Sequence, residues 1–381
     1  MKYPEEICTY ALSRIFLREP KLSRAVIETM GSAGELFALD GNGLYEALGP
    51  FFRYREAISG TDLDKVGKEL ERITGETGTR YLWHGHPDFP QALSGCDDAP
   101  VGFFFRSSDD PAGIFNRESV SVVGTRDMSP YGRQWCGNVV KALSETEERP
   151  TIVSGLAYGV DITAQMKALE TGLPTIAVLG NGVGSIYPAQ HASHADKIAG
   201  TKGCAIIWEY PPGTDVLAVN FLARNRIIAG MSRATVLVES KIHGGGMTTA
   251  RIASSYGRDV FAVPGRNDDI RSQGCNALIQ SHIAEALADT GPFLKSIGYR
   301  RLKASRTAEG VGVQTASISG TDIDTAGKLL LRIRSNRGIT VEELASGSGL
   351  APHRARAILT GLEADGIIDV DILGRCTINK G

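Results

Sequence analysis

The sequence has no cysteine pair at metal-binding spacing and no long apolar run. Its six cysteines, at positions 8, 96, 136, 204, 275 and 376, never form a C-x-x-C motif, which argues against a disulfide scaffold and a zinc ribbon. Reduced thiols, and a start in which Glu5 and Glu6 stand where a signal peptide is basic and apolar, together predict a cytoplasmic protein. No stretch approaches the ~18 apolar residues of a membrane span, so we expect no membrane contact.

An excess of charge of either sign is also missing. The 41 basic and 43 acidic residues give a net charge of -2, which excludes a protein that coats nucleic acid by bulk charge but allows a local basic groove. A length of 381 residues predicts two or three domains at about 150 residues each. Glycine is the abundant residue: 45 of 381 residues, or about 12%, against a typical ~7%.

Several catalytic and cofactor motifs are absent. No G-x-x-x-x-G-K-[ST] run occurs, which excludes a P-loop, and no G-x-S-x-G occurs, which excludes a nucleophile elbow. The glycines of segment 180–184 are followed by Ser185 where a dinucleotide fingerprint needs its third glycine, so we expect no bound cofactor. His191 and His194 have a helical spacing but no further ligand nearby, which favours helix surface over a metal site.

The middle of the chain, residues 80–300, alternates apolar runs with helical patterns such as 134–143 and 162–169. The predicted strands are residues 120–124, 151–155, 175–180, 204–210, 234–240 and 259–265. These runs are apolar almost throughout, as expected for strands that are covered on both faces. The alternation predicts an α/β domain with a doubly wound parallel sheet.

Different patterns flank this domain. Residues 1–75 predict a helical domain, in which Gly41 and Gly43 indicate either a SAM or helix-hairpin-helix-like turn that presents amides to a phosphate, or a docking domain with a glycine-rich turn. Residues 303–320 have the composition of a linker. Residues 321–381 predict three helices and a terminal hairpin, the pattern of a winged-helix domain, and their balanced charge suits a protein partner as well as DNA.

Glycines follow nearly every predicted strand, at the sheet edge where open α/β sheets bind ligands. Glycine lets a ligand approach the backbone, and free amides at a helix start attract anions. Cations accompany these loops; Arg224 and Arg226 are two residues apart, so on a helix one can face the groove while the other makes structural pairs. The predicted binding residues are Gly124, Arg126, Ser154, Gly155, Gly159, Gly180, Asn181, Gly182, Arg224, Asn225, Arg226, Lys241, Gly244, Gly245, Gly246 and Thr248.

Anion loops shared among several strands suit a ligand that runs along the sheet edge, and single-stranded nucleic acid presents one phosphate after another.

Catalytic arrangements are scarce. Ser154 could be a nucleophile, but no base is assignable, and a hydroxyl that bonds a phosphate is the preferred interpretation. Glu239 could be a general acid or base, but we prefer a structural role in fixing loop amides. We therefore predict a binding protein that is not an enzyme.

An apolar stripe lies near the end of this domain. It consists of Leu278, Ile279, Ile283 and Leu287. Burial in the core is the default interpretation, and a contact in a homodimer is the alternative.

Taken in order, the motifs resemble one family over residues 80–290, the DNA-processing protein A (DprA/Smf) family. They are VGTR (123–126), SGLAYGVD (154–161), YP (187–188), FLARNRIIAG (221–230), VE (238–239), TA (249–250) and GRDVFAVPG (257–265). The resemblance implies an extended Rossmann-like domain that binds single-stranded DNA without cutting it. It also implies a dimer that protects incoming strands in natural transformation and loads the RecA recombinase. Arg126, the 154–159 loop and the Arg224–Arg226 motif resemble the family's binding residues.

The sequence departs from the family pattern at several positions. It has Gln165 where the family has His, Trp208 for Ser, Leu222 for Pro, Gly244–Gly246 for Ser-Gly-Ser, and Ser281-His282 for Gly-Ala. A basic residue often precedes the RNR helix, where this sequence reads Asp215-Val-Leu-Ala-Val, which weakens the expectation of one phosphate contact. The glycine run offers bare amides instead.

Two other functions remain open at this point. A nucleotide or sugar-phosphate hydrolase of phosphoribohydrolase type is suggested by segment 244–249, which is similar to a P-G-G-x-G-T loop, although Arg251 and Ile252 stand where that family needs a Glu. A transcription regulator is suggested only by the winged helix, with His353, Arg354 and Arg356 as a weakly basic recognition helix.

Overall fold

The computed structural model describes residues 3–49, 52–302, 323–336, 338–371 and 374–378. The chain divides into two compact units, Met1–Leu302 and Lys303–Gly381. The predicted linker, 303–320, lies outside the described residues. The helices of the first unit are α1 (Glu5–Ile15), α2 (Pro20–Met30), α3 (Ala33–Ala38), α4 (Gly41–Leu48), α5 (Arg55–Ser59), α6 (Leu63–Thr77), α7 (Gln91–Ser94), α8 (Pro111–Phe115), α9 (Pro130–Ser144), α10 (Val160–Glu170), α11 (Ala192–Gly200), α12 (Ala218–Met231), α13 (Gly245–Ser255), α14 (Gln273–Gln280) and α15 (Thr290–Ser296).

A nine-stranded, mostly parallel sheet forms the centre of this unit. Its strands are β1 (Arg80–Trp83), β2 (Gly102–Arg106), β3 (Ser119–Val123), β4 (Thr151–Ser154), β5 (Thr175–Gly182), β6 (Ala205–Tyr210), β7 (Ala234–Leu237), β8 (Asp259–Ala262) and β9 (Glu285–Ala286). All six predicted strands are present, and from β6 to β9 neighbours are parallel, whereas β1 and β2 add an antiparallel edge that the sequence analysis did not predict.

The strand order β1-β2-β6-β5-β4-β3-β7-β8-β9 shows where the sheet can bind a ligand. The chain starts the parallel part at β3, adds β4, β5 and β6 on one side, and returns through α12 to add β7 and β8 on the other. The winding therefore reverses between β3 and β7. A crevice opens beyond the carboxyl ends of the strands at such a reversal.

The strands are apolar throughout because helices cover both faces of the sheet. Every residue of β3, β4, β5 and β7 is buried. Successive side chains of β5 alternate between the faces. Ile176 and Val178 pack in a core with residues of α12, α13 and α14, whereas Ala177 and Leu179 pack with residues of α11 and the N-terminal helices. A third core lies between α9, α10 and the strands around β3.

The N-terminal helices share a core with the sheet. Leu12 of α1 belongs to the same buried cluster as Phe104 of β2 and Trp208 of β6. The predicted glycine-rich turn is instead the first turn of α4, where the Asp40 carboxylate accepts a hydrogen bond of 2.8 Å from the amide of Gly43. The chain's own carboxylate thus takes one of the amides at this helix start, and the choice between a SAM or helix-hairpin-helix-like domain and a docking domain stays a prediction.

The second unit contains three helices and a hairpin. They are α16 (Ile323–Ser335), α17 (Val341–Ser348) and α18 (Pro352–Ala364), with β10 (Ile368–Val370) antiparallel to β11 (Cys376–Ile378). A capping box starts α17, because Thr340 and Glu343 exchange side-chain to backbone hydrogen bonds there. Leu329, Leu344 and Leu359 meet in its apolar core.

The stripe considered for a dimer contact lies mainly inside the first unit. Leu278 and Leu287 are each 1% exposed and belong to two different cores. Ile279 and Ile283 are half-buried against the core that contains Leu278. The structure thus corrects the dimer prediction for Leu278 and Leu287, because both side chains are already buried in the core and have no surface left for a partner. Among the described residues, no helix is both long and apolar enough to cross a membrane.

Candidate nucleic-acid interface

A cavity of about 480 Å³ opens at the carboxyl edge of the sheet, where the winding reverses. It lies between the loop after β3, the loop after β7 and the N-terminal half of α12. Half of the sixteen predicted binding residues line it. They are Gly124, Arg126, Arg224, Asn225, Lys241, Gly244, Gly245 and Gly246.

Two exposed cations stand at this cavity. Arg126 follows β3 and Lys241 follows β7, and neither has an acidic side chain within ion-pair distance in the described part of the chain. The Arg126 guanidinium lies 6.0 Å from the centre of the Phe221 ring, at the edge of cation–π range. Both charges are therefore available to an anionic ligand.

Glycines form the rim of the cavity at the start of α13. Gly244 and Gly246 have packing reasons: a Cβ on Gly246 would lie 2.6 Å from Leu237 Cδ1, and one on Gly244 would overlap the Ser240 hydroxyl. Gly245 has none, because apart from its chain neighbours and the backbone of its own helix no atom lies within 4 Å of the position that its Cβ would take. The helix start carries partial positive charge and unsatisfied amides. A bare backbone here suits the close approach of an anion.

Arg224 places a third cation at the floor of the cavity. It is buried, and its Nη1 donates a hydrogen bond of 2.5 Å to the Val178 carbonyl. Burial lowers the pKa of Arg224 to about 10, and the Asp161 carboxylate opposes that shift, so the guanidinium remains charged at neutral pH. Gly155 makes room for it, because a Cβ at that position would overlap the guanidinium.

Asp161 is the buried acid next to this arginine. Its carboxylate accepts a hydrogen bond of 3.2 Å from the amide of Gly155. Burial raises the pKa of Asp161, whereas Arg224 and the loop amides favour its charged form. Asp161 also lines the cavity. It fixes the 155–161 loop beneath the exposed rim.

Arg226 points away from the cavity, as its two-residue spacing from Arg224 predicts. It forms an ion pair with Glu209 of β6, and both side chains are about nine-tenths buried. Burial raises the pKa of Glu209, which the neighbouring Arg226 opposes. Although Arg226 was predicted to bind the ligand, its guanidinium holds α12 against the sheet.

The remaining polar candidates also hold the loops. Ser154 is fully buried, and its hydroxyl donates to the Val122 carbonyl at 2.7 Å. Asn181 is buried as well, and its amide donates to Gly182 and Ser185 carbonyls at 3.1 and 2.9 Å. The structure thus corrects both predicted ligand contacts to structural hydrogen bonds. Thr248 is half-buried on α13 and is not among the lining residues.

Three glycines are required by close packing of the backbone. Gly159 has a φ of +75° at the start of α10, and a Cβ there would overlap the Thr125 carbonyl. A Cβ on Gly180 would lie 3.0 Å from Phe221 Cα, and one on Gly182 would lie 2.6 Å from the Pro211 carbonyl. These positions shape the cavity without lining it.

Two groups considered for catalysis or metal binding have structural partners. The Glu239 carboxylate accepts hydrogen bonds from the Ser129 amide, at 2.9 Å, and from its hydroxyl, which agrees with the preferred structural interpretation. His191 is buried rather than on a helix surface, with Nδ1 2.8 Å from the Leu156 carbonyl. Within the described ranges, no group of three or more His, Cys, Asp or Glu side chains could hold a metal ion.

The cavity also has an apolar part, which the sequence did not predict. Tyr187, Val216, Phe221 and Leu222 line it, and the Tyr187 and Phe221 rings lie 5.2 Å apart. Tyr187 and Phe221 belong to recognised motifs, but nothing in their spacing shows that they share one wall. In the sequence, the run from Val216 to Val219 is notable only because it lacks the basic residue that the family often has before this helix.

Residues 80–298, more than half of the chain, match the family model described as DNA recombination-mediator protein A. The DNA processing protein DprA of Streptococcus pneumoniae is 40% identical over 192 residues, which are 50% of this chain and 65% of that protein. The match therefore spans just under two thirds of that relative's length.

Two solved structures are similar to this fold. The X-ray structure of DNA processing protein A from Streptococcus pneumoniae has a TM-score of 0.66 at 30% identity, covering 79% of this chain and all of that one. A structure that concerns the single-stranded DNA binding mode of DNA processing protein A from Helicobacter pylori has a TM-score of 0.51 at 27% identity, covering 57% of this chain and 95% of that one. Because the family model matches more than half of its residues, the chain belongs to the DNA recombination-mediator protein A family, also called DprA or Smf.

Proposed function

We propose that this protein binds single-stranded DNA without catalysing a reaction on it. In this proposal it protects incoming strands in the cytoplasm and loads the RecA recombinase on them during natural transformation. One observation carries the proposal: Arg126, Lys241 and the bare amide of Gly245 surround a single cavity at the winding reversal. Such a rim suits phosphates, and it reads no base sequence.

The surroundings favour a single strand over a duplex or a mononucleotide. The cavity combines cations with the exposed ring of Tyr187, so a ligand can present a phosphate and an apolar base face together. A duplex hides its base faces. The relative from Helicobacter pylori, whose structure concerns binding of single-stranded DNA, supports the same ligand class here.

The polar side chains that could act in catalysis are engaged in hydrogen bonds within the fold, which supports a role in binding alone. The Ser154 hydroxyl donates into the sheet, and the Glu239 carboxylate is held by Ser129. A phosphoribohydrolase would need a free carboxylate after the glycine loop, where the exposed Arg251 stands. Hence no specific observation favours the hydrolase.

The partners are proposed from the family alone. A homodimer contact on α14 and the turn after it would use Ile279 and Ile283, since these two keep partial exposure. The three helices and hairpin of the second unit have the element order of a winged helix, and we propose that fold for residues 321–381. We propose RecA as the second partner, and we assign it no binding surface among the described residues.

Binding assays on cation variants test this function. Arg126→Ala and Lys241→Ala should each weaken the binding of a poly-dT oligonucleotide about five- to tenfold, because each removes one charge-assisted phosphate contact. The slope of log affinity against log salt should fall by about 0.7 per variant. Lys141→Ala, at an exposed site of α9 outside the cavity, is the matched control. Unchanged affinity and slope in both cavity variants would refute the proposed groove.

A further inference from the structure

The cavity has two chemically different sides. The loops after β3 and β7 supply Arg126, Lys241 and the glycine rim, whereas the loop before α12 and its first turns supply Val216, Ala218, Phe221 and Leu222. Val216 and Leu222 are 49% and 48% exposed. Large apolar side chains with this exposure, at the mouth of a cavity that also holds exposed cations, require an explanation.

The apolar side is held in place by two hydrogen bonds to one backbone carbonyl. Asn220 is 4% exposed, and its amide donates a hydrogen bond of 3.0 Å to the carbonyl of Asp215. The amide of Leu217 also donates to the Asp215 carbonyl, at 3.0 Å. Val216 thus lies in a braced turn directly before α12. Its exposure is built into the fold.

A ligand that fills the cavity from Arg126 also reaches this apolar side, because both sides line one cavity. A phosphate gains nothing from alkyl side chains. The flat face of a nucleobase does gain, because it loses water when it packs against carbon. We infer that Val216 and Leu222 form a base-facing wall, which orients the strand with its phosphates toward the Arg126–Lys241 side and its bases toward α12.

This inference rests on the proposed function and adds a specificity to it. Phosphate contacts alone would treat a normal strand and a strand without bases alike. With the base-facing wall, part of the affinity depends on the bases and is insensitive to salt, whereas the contact with Lys241 depends on the backbone and falls with salt. The two contributions can therefore be separated in the same binding assay.

The test compares a fifteen-nucleotide oligo-dT with an abasic strand of equal length. The full-length protein should bind the oligo-dT at least about fivefold more tightly. The double variant Val216→Ser/Leu222→Ser should lose most of that ratio while keeping its affinity for the abasic strand and its salt slope. Lys241→Ala should weaken both ligands equally and keep the ratio.

Val219→Ser is the matched control. Val219 is 54% exposed on the same helix but does not line the cavity, so this variant should retain the full ratio. Equal binding of both strands by the unaltered protein, or an unchanged ratio in the double variant, would overturn the inference. So would a change in oligomeric state with the ratio intact, since the wall would then serve a second copy. If neither strand binds, the proposed function itself fails, which is a different result.

Discussion

At the residue scale, the polar side chains beneath the cavity are engaged by the fold, and the exposed ones are left for a ligand. Arg224 donates to Val178, Arg226 pairs with Glu209, and Arg126 has no acidic partner among the described residues. Spacing on a helix could separate Arg224 from Arg226, because directions repeat with the helical period. It could not show that Ser154 and Asn181 face inward, since Ser154 donates to a carbonyl of a neighbouring strand and Asn181 donates to carbonyls of its own turn.

His84 gives a residue-scale prediction about stability in acid. Burial, with a smaller effect of Arg24, lowers the pKa of His84 to about 4 from its usual 6.5, and its Nε2 has no partner in the described structure. The fold therefore favours the neutral ring. Unfolding takes up a proton below pH 6.5, so this contribution to stability is present above pH 6.5 and is lost as the pH falls through 4.

The measurement is the urea midpoint of unfolding at several pH values between 7 and 4. His84→Gln, which cannot gain a charge, should lose less stability over this range than the unaltered protein. His243→Gln, at an exposed site after β7, is the control and should follow the unaltered protein. Parallel curves for all three proteins would show that His84 does not take part.

At the element scale, the strands and the turns that follow them could be predicted, but the sheet edge could not. The six predicted strands form because their apolar runs are buried on both faces. The antiparallel β1 and β2 were missed because pairing across the 84–101 segment leaves no periodic pattern in the sequence. The glycines after the strands divide into two kinds, those that packing requires and those that it does not, and only the structure separates them.

Gly245 is the position where this distinction yields a prediction. Gly245→Ala should leave the free energy of unfolding unchanged or raise it by about 0.5–1 kcal/mol, because a Cβ there meets no atom and alanine favours the helix. It should still weaken single-stranded DNA binding about five- to thirtyfold, because the methyl group keeps a phosphate from the amide. Denaturant titration and fluorescence anisotropy measure the two effects.

Gly137→Ala is the matched control for that variant. Gly137 lies within α9 and also has no atom within 4 Å of its Cβ position, but it does not line the cavity. It should gain similar stability and retain full binding. Full binding by Gly245→Ala would mean that no ligand approaches the start of α13.

At the scale of the whole molecule, two units carry separate cores, and the binding surface proposed here lies entirely in the first. The motif series was sufficient to predict the family and the doubly wound sheet. It could not predict that the N-terminal helices share a core with the sheet, because that core includes residues as far apart in the sequence as Leu12 and Trp208. Nor could it predict the base-facing wall, which forms when Val216 and Leu222 meet the loops of two distant strands.

The central claim is that this cavity holds an extended single strand. The most direct test is a competition measurement in which labelled oligo-dT is displaced from the full-length protein by unlabelled single strands, duplexes or thymidine monophosphate. We predict displacement by single strands that strengthens with their length and weakens with salt, and little displacement by duplex or mononucleotide. Displacement by the mononucleotide at concentrations comparable to those of the oligonucleotide, with no dependence on length, would contradict the account.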